Sequence, residues 1–195
     1  MTRTSTLLAL ATLCLSCREP LPSVVDAEDF ELDARYFNWE AGATEQISIG
    51  ADGASSYVFL RSRIEQWPLE QANAQGETTQ DVLAPALFQI TWTTPPEQLR
   101  ELQELLDDGR FLGLGDSYQD RGVSDGAMNT YTLRARGETK TVRCINDFPR
   151  TIRRLDALLD ELHPDVGVGT ITEDRPLPPG ARELDDAELD AMGLR

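Results

Sequence analysis

Between Thr130 and Leu162 the chain changes its period once, and that change limits the fold more than any other feature. TYTLRAR (130–136) alternates apolar and polar residues, Gly137-Glu138 turns the chain, and TKTVRCI (139–145) alternates again. A period of two lays one side of a strand pair against a core. Ile152, Leu155, Leu158, Leu159 and Leu162 then recur at the spacing of one helix face, after Asp147 and Pro149 and before His163-Pro164. A hairpin followed by an amphipathic helix buries both apolar faces when the helix lies on the hairpin.

The preceding half repeats the same logic. QISIG (46–50) and SSYVFLRS (55–62) read as strands about an Asp52-Gly53 turn, and ALFQITWT (86–93) as a third. Thr94-Pro95-Pro96-Glu97 has the composition of a helix start, with Thr94 as the capping residue. Leu99, Leu102, Leu105 and Leu106 form the stripe of that helix, and Gly109 ends it. Residues 64–84, polar and rich in Gln, are predicted to form a long loop, as are 115–129. The expectation is an α+β fold: an antiparallel sheet of about five strands with two helices packed on one face. It occupies 45–165, between an acidic tether at 17–44 and a Pro-rich, acidic tail at 166–195. Within the tether Tyr36, Phe37 and Trp39 are apolar enough to dock as a short strand or anchoring turn. The tail has a narrow apolar face that suits a short helix.

Charge narrows the function. The formal net charge is −16, which opposes binding to nucleic acid. His163 is the single histidine, so three-histidine zinc sites and two-histidine iron sites are excluded by count. Its place at the end of the second helix suits an imidazolium facing the helix dipole. Cys144 shares a strand face with Val142 and is expected to be a buried, structural thiol. The following helix separates it from His163 by about 20 Å, too far for a nucleophile–base pair. Asp116, Asp120 and Asp125 lack the alternating spacing of a calcium loop and read as a solvated turn. Acids are too numerous for any pair to stand out as a dyad. No catalytic, cofactor or metal residue is assigned.

Basic residues are concentrated between 134 and 154. Arg134 and Arg136 fall on the strand face opposite Leu133 and Ala135, and Lys140 and Arg143 follow on the return strand. An exposed strip of this kind would suit an anionic partner. A solvated face covered by the acidic segments 26–45 and 183–190 is the alternative.

Two cysteines stand at the end of a short apolar run, LLALATLCLSCREP (7–20). They could form a disulfide or redox pair, or mark the processing site of an exported precursor. Leu7–Leu15 is too short to span a bilayer, and Arg3 precedes it, which is the pattern of an export signal. A cut after Ala27, following Val25-Asp26-Ala27, is the competing site. Cys14-Leu15-Ser16-Cys17 resembles the junction of a bacterial lipoprotein signal, in which a small residue precedes the cysteine that becomes the lipidated first residue. Ser16 and Cys17 match that pattern. Cys14 stands where leucine is usual, and Leu15 where a smaller residue is usual. The resemblance implies removal of 1–16, acyl chains such as palmitate on Cys17, and a membrane-anchored life in the bacterial cell envelope, facing the periplasm or exterior. The central order, carried by Thr94–Leu106, Phe111–Tyr118, Asn129–Val142 and Pro149–Leu159, resembles an uncharacterised α+β domain of exported bacterial proteins. That resemblance implies a fold and transfers no catalytic residue.

The expected function is therefore a non-enzymatic, lipid-anchored protein whose domain binds a macromolecule, with another envelope protein as partner. A small exported hydrolase working through carboxylates is the alternative. So is an inhibitor of an exported enzyme, projecting 64–84 or 115–129.

Overall fold

The structure, a computed structural model, describes residues 21–38, 43–68, 79–122, 127–167, 171–172 and 175–194. The expected export signal at 1–16, Cys17, Trp39 and Asp125 lie outside the described residues. Among the described residues, eight strands form one sheet: β1 (Glu31–Asn38), β2 (Ala43–Gly50), β3 (Ala54–Pro68), β4 (Thr79–Thr93), β5 (Ser117–Gln119), β6 (Met128–Ala135), β7 (Glu138–Ile145) and β8 (Arg182–Glu183). Their order is β5-β7-β6-β1-β2-β3-β4-β8. Helices α1 (Pro96–Asp108), α2 (Arg150–Leu162) and α3 (Asp186–Met192) complete the fold.

The expected five-stranded antiparallel sheet with two helices on one face is thus corrected. The sheet is mixed, because β5 runs parallel to β7 while the other pairs are antiparallel. The helices cover both faces. Leu32, Ile49, Leu133 and Val142 meet Leu102, Leu106, Ile152, Leu155 and Leu159 of α1 and α2 in the main core. On the other face Val58 and Leu87 meet Leu184, Leu189 and Leu194 around α3. Burying each such leucine stabilises by about 2 kcal/mol before ordering costs. A third cluster joins Phe59, Phe88 and Ile90 to Val166.

Two strands, β5 and β8, escaped sequence reading, and β1 was read only as a short docking strand or turn at Tyr36 and Phe37. β1 lies in the acidic stretch read as tether, yet it sits between β2 and β6. Its alternation ELDARY places Leu32 and Ala34 in the core, while Glu31 is exposed and Asp33 half-buried on the opposite face. Upstream, Val24, Ala27 and Phe30 are also buried. Asp107 accepts the Val24 N–H at 3.0 Å and Gln103 the Asp26 N–H at 3.1 Å, which ties this stretch to α1. β5 and β8 have three and two residues, too few to show a period. The tail helix α3 is held by a capping box between Asp185 and Glu188 and ends at Gly193, whose φ is 64°.

Thr94 does not cap α1. Pro95 occupies that position without a side-chain bond. Thr94 is buried; its hydroxyl lies 2.7 Å from Ser55 Oγ, and its N–H donates to the Gly53 carbonyl at 2.8 Å. The residue ties the end of β4 to the Gly53 turn that begins β3.

The predicted loop at 64–84 is strand where it is described, at 64–68 and 79–84, and 69–78 lie outside the described residues. β3 and β4 stay in register from Ala54↔Thr93 to Pro68↔Thr79. β2 pairs with β3 between Ser55 and Val58, and β8 pairs with β4 at Phe88 and Gln89. Past those points β3 and β4 continue as a two-stranded arm. The arm leaves the sheet at the end opposite Glu31, where the chain enters β1.

Candidate functional site

The basic residues do not form one strip. β6 and β7 pair as Arg134↔Thr139, Thr132↔Thr141 and Thr130↔Arg143, so Arg134 and Arg143 share the face away from α1 and α2. Lys140 pairs with Leu133, on the helix side, and its ammonium meets Asp116. Arg136 has left the strand, with φ at 56°. Its guanidinium donates to the carbonyls of Ser23, at 3.3 Å, and Val25, at 2.9 Å. Arg134 pairs with Glu31, and Arg143 donates to the Met128 sulfur at 2.9 Å. The acidic entry segment thus covers part of the hairpin, through Asp29 and Glu31. Within 183–190, Glu183 pairs with Arg63 and Glu188 with Arg182, away from this hairpin.

Two further polar groups lie inside. The Asp156 carboxyl on α2 accepts from Tyr131, at 2.7 and 2.9 Å, and from Tyr36 at 3.1 Å. Burial raises its pKa and the two hydroxyls oppose that rise. Both oxygens are thereby engaged at the helix–sheet interface. Arg61, on β3, is 2 % exposed and donates to the carbonyls of Val166, at 2.7 Å, and Arg175, at 3.0 Å. It borders a cavity of about 430 Å³ lined also by Tyr57, Ser62, His163 and Val166. The His163 ring lies 4.6 Å from that of Tyr57, and its Nδ1 is 2.8 Å from the Pro164 carbonyl oxygen. This places the single histidine in an aromatic wall.

Cys144 is fully buried beside Val142, and burial pushes its thiol up to about 11. Asp120 accepts its own loop's Gly122 N–H at 2.8 Å. Among the described residues, no group of three His, Cys, Asp or Glu is placed to hold a metal, and no helix is long and apolar enough to cross a membrane.

The feature that sequence reasoning missed is the arm. Ile64 is 53 % exposed, Trp67 52 % and Leu83 61 %. Ile64 faces Leu83 across the ladder. On the other face Glu65 accepts from the Arg63 guanidinium and, at 3.0 Å, from the Trp67 indole N–H. The β3 edge has a direction that can be read. The Leu60 N–H donates to the Glu45 side chain at 2.8 Å, and the Ser62 carbonyl accepts from the Ile171 N–H at 2.8 Å. Even-numbered residues therefore turn their backbone groups away from β4, which puts those of Ile64 and Gln66 along the outer edge. The local signal was an alternation of charged Arg61, Arg63 and Glu65 with uncharged Ser62, Ile64 and Gln66, which Gln, Pro and charge disguised as loop composition.

No protein-family model matches the chain, and no curated protein matches it.

Proposed function

We propose that this chain is a non-enzymatic, lipid-anchored protein of the bacterial cell envelope that binds another macromolecule through its α+β domain. The anchor is the set of acyl chains on Cys17, and the partner is an envelope protein. The observation that carries the binding half is the β3–β4 arm, whose outer strand edge and three large exposed apolar side chains suit strand addition. The Ser16-Cys17 junction supports the anchor. Residues described from Leu21 onward belong to the domain, so at most about 14 Å of chain separates Cys17 from it. A short link of this kind holds the domain close to the bilayer. Asp156, the buried acid a hydrolase would recruit, has both oxygens occupied by tyrosine hydroxyls.

Fractionation of cells tests the anchor. Cys17→Ala is expected to release the protein from membranes or to leave an uncleaved precursor. An unchanged membrane fraction with a mature terminus at Glu28 overturns the anchor. Capture of envelope proteins on the native chain and on Trp67→Ser tests the arm. Equal recovery of every partner by both proteins removes the arm from the reading.

A further inference from the structure

We infer that residues 182–194, with β8 and α3, form a releasable strap that opens from the folded sheet and bares more of the β3–β4 apolar face. The carrying observation is a buried acceptor with nothing to accept. One row of paired residues crosses the sheet as Arg35, Gln46, Val58 and Gln89, and ends on Arg182 of β8. Directly paired residues point to one face, here the face on which α3 lies. The strap holds both neighbours of Gln46. Val58 packs with Leu184, Leu189 and Leu194, and Arg35 donates to the Met192 carbonyl at 3.4 Å. Gln46, between them, is 7 % exposed.

The Gln46 Nε2 donates to Asp33 at 2.6 Å and to Ser48 at 2.9 Å. The Oε1 is buried and has no hydrogen-bond partner. Turning the amide over would set Oε1 against the Asp33 carboxylate, so its orientation is fixed by charge. Docking of the strap therefore takes a carbonyl oxygen out of water without replacing its bond, and release lets water return to it. The closed state carries a cost that the open state does not.

Little else holds the strap. α3 has seven residues and β8 two, too few to persist without packing. Its bonds through Glu183 to Arg63 and through Arg182 to Gln89 are exposed and contribute little. Burial of Leu184, Leu189 and Leu194 is the main hold. A segment so attached, over an unsatisfied acceptor, belongs to the low-stability end of a fold. Its release bears on the arm. Val58 and Leu87 lie on the same face of β3 and β4 as Ile64 and Leu83, and only the first two are covered. Opening joins all four into one apolar surface that runs from the sheet onto the arm. It is a property of the chain alone, so it stands or falls separately from the anchor and the partner.

The test places a thiol beneath the strap, as Val58→Cys in the full chain. Cys144, buried on the opposite face, is the internal control for opening of the whole domain. Labelling by a bulky thiol reagent is read cysteine by cysteine by mass spectrometry, so the fate of Cys17 does not enter. The new thiol is expected to react at least tenfold faster than Cys144. Adding Gln46→Met, which removes the orphan oxygen and leaves the Ser48–Asp33 bond in place, is expected to slow it at least threefold relative to Cys144. Arg35→Met, which removes the bond to Met192, is expected to speed it. Amide exchange on the unsubstituted chain gives a second reading that needs no variant to fold. The Leu184, Leu189 and Leu194 amides, bonded to the Leu87, Asp185 and Leu189 carbonyls, are expected to exchange as one unit, at least tenfold faster than those of Tyr131 and Leu133 in central β6. Equal labelling of the two thiols, a ratio that ignores Gln46→Met, or exchange of the strap as slow as that of β6 overturns the proposal.

Discussion

The Tyr131 hydroxyl lies between the two carboxyl oxygens of Asp156, 2.7 Å from one and 2.9 Å from the other, and accepts from Asn129 at 2.9 Å. Tyr36 adds a second hydroxyl at 3.1 Å, and its ring meets that of Tyr131 edge-on at 6.2 Å. Two neutral donors only partly offset the burial of the carboxylate, so its pKa is raised.

A raised carboxyl pKa means that the folded protein holds this proton more tightly than the unfolded chain does. The contribution of Asp156 to stability is therefore greatest below the unfolded value of 3.8, and it falls as pH rises through the folded value. Asp156→Asn abolishes that dependence. Urea unfolding of both proteins from about pH 3 to 7 should show the native chain losing ground to the variant as pH rises. Parallel curves contradict the assignment.

Asp29 should behave in the opposite sense. Its carboxylate accepts the backbone N–H groups of Gly137 and Arg136, both at 2.6 Å, and these bonds lower its pKa. Its stabilising effect is complete above 3.8 and is lost as pH falls through the depressed folded value. NMR titration should place the Asp29 carboxyl below 3.8. Asp29→Ala should speed amide exchange at Arg136 and Gly137.

Two glycines in left-handed turns separate strain from collision. Gly53 has φ at 78°, and a Cβ there would stand 2.6 Å from the Thr94 carbonyl oxygen. Gly137 has φ at 76° with nothing within 4 Å of such a Cβ. Gly137→Ala should cost about 1 kcal/mol through backbone strain, and Gly53→Ala about 2–3 kcal/mol because Thr94 must also move. Denaturant midpoints of the two variants measure the difference, and equal losses would remove the collision.

Cys144 should report on unfolding. With a buried thiol pushed up to about 11, it should react with a bulky thiol reagent no faster than the domain opens. Cys144→Ala should cost about 1 kcal/mol in lost packing. Rapid labelling of the folded chain would contradict both statements.

Some of this molecule was legible in residue order alone, and some of it only in the folded chain. The β6–β7 hairpin, the stripes of α1 and α2, the turn at Gly53 and the burial of Cys144 were written locally. Each depends on a period or turn residue within one short window, and a helix or tight hairpin makes its backbone bonds within that window. β1 was different. Its strand bonds come from β2 and β6, and β6 pairs Leu133 with Leu32 across a hundred residues of chain. Its acids disguised a central strand as a tether, because a sheet face turned from the core tolerates charge. The pleat likewise decided the basic residues: neighbours in sequence, Lys140 and Arg143 point to opposite faces, and Arg136 leaves the strand altogether. The arm was hidden for a related reason. RSRIEQW can be read as a strand, but an edge exists only where flanking strands stop, and those ends are set by the lengths of β2 and β8. Local bonding follows from sequence; which strand lies beside which, and where a sheet ends, follows from contacts between distant residues.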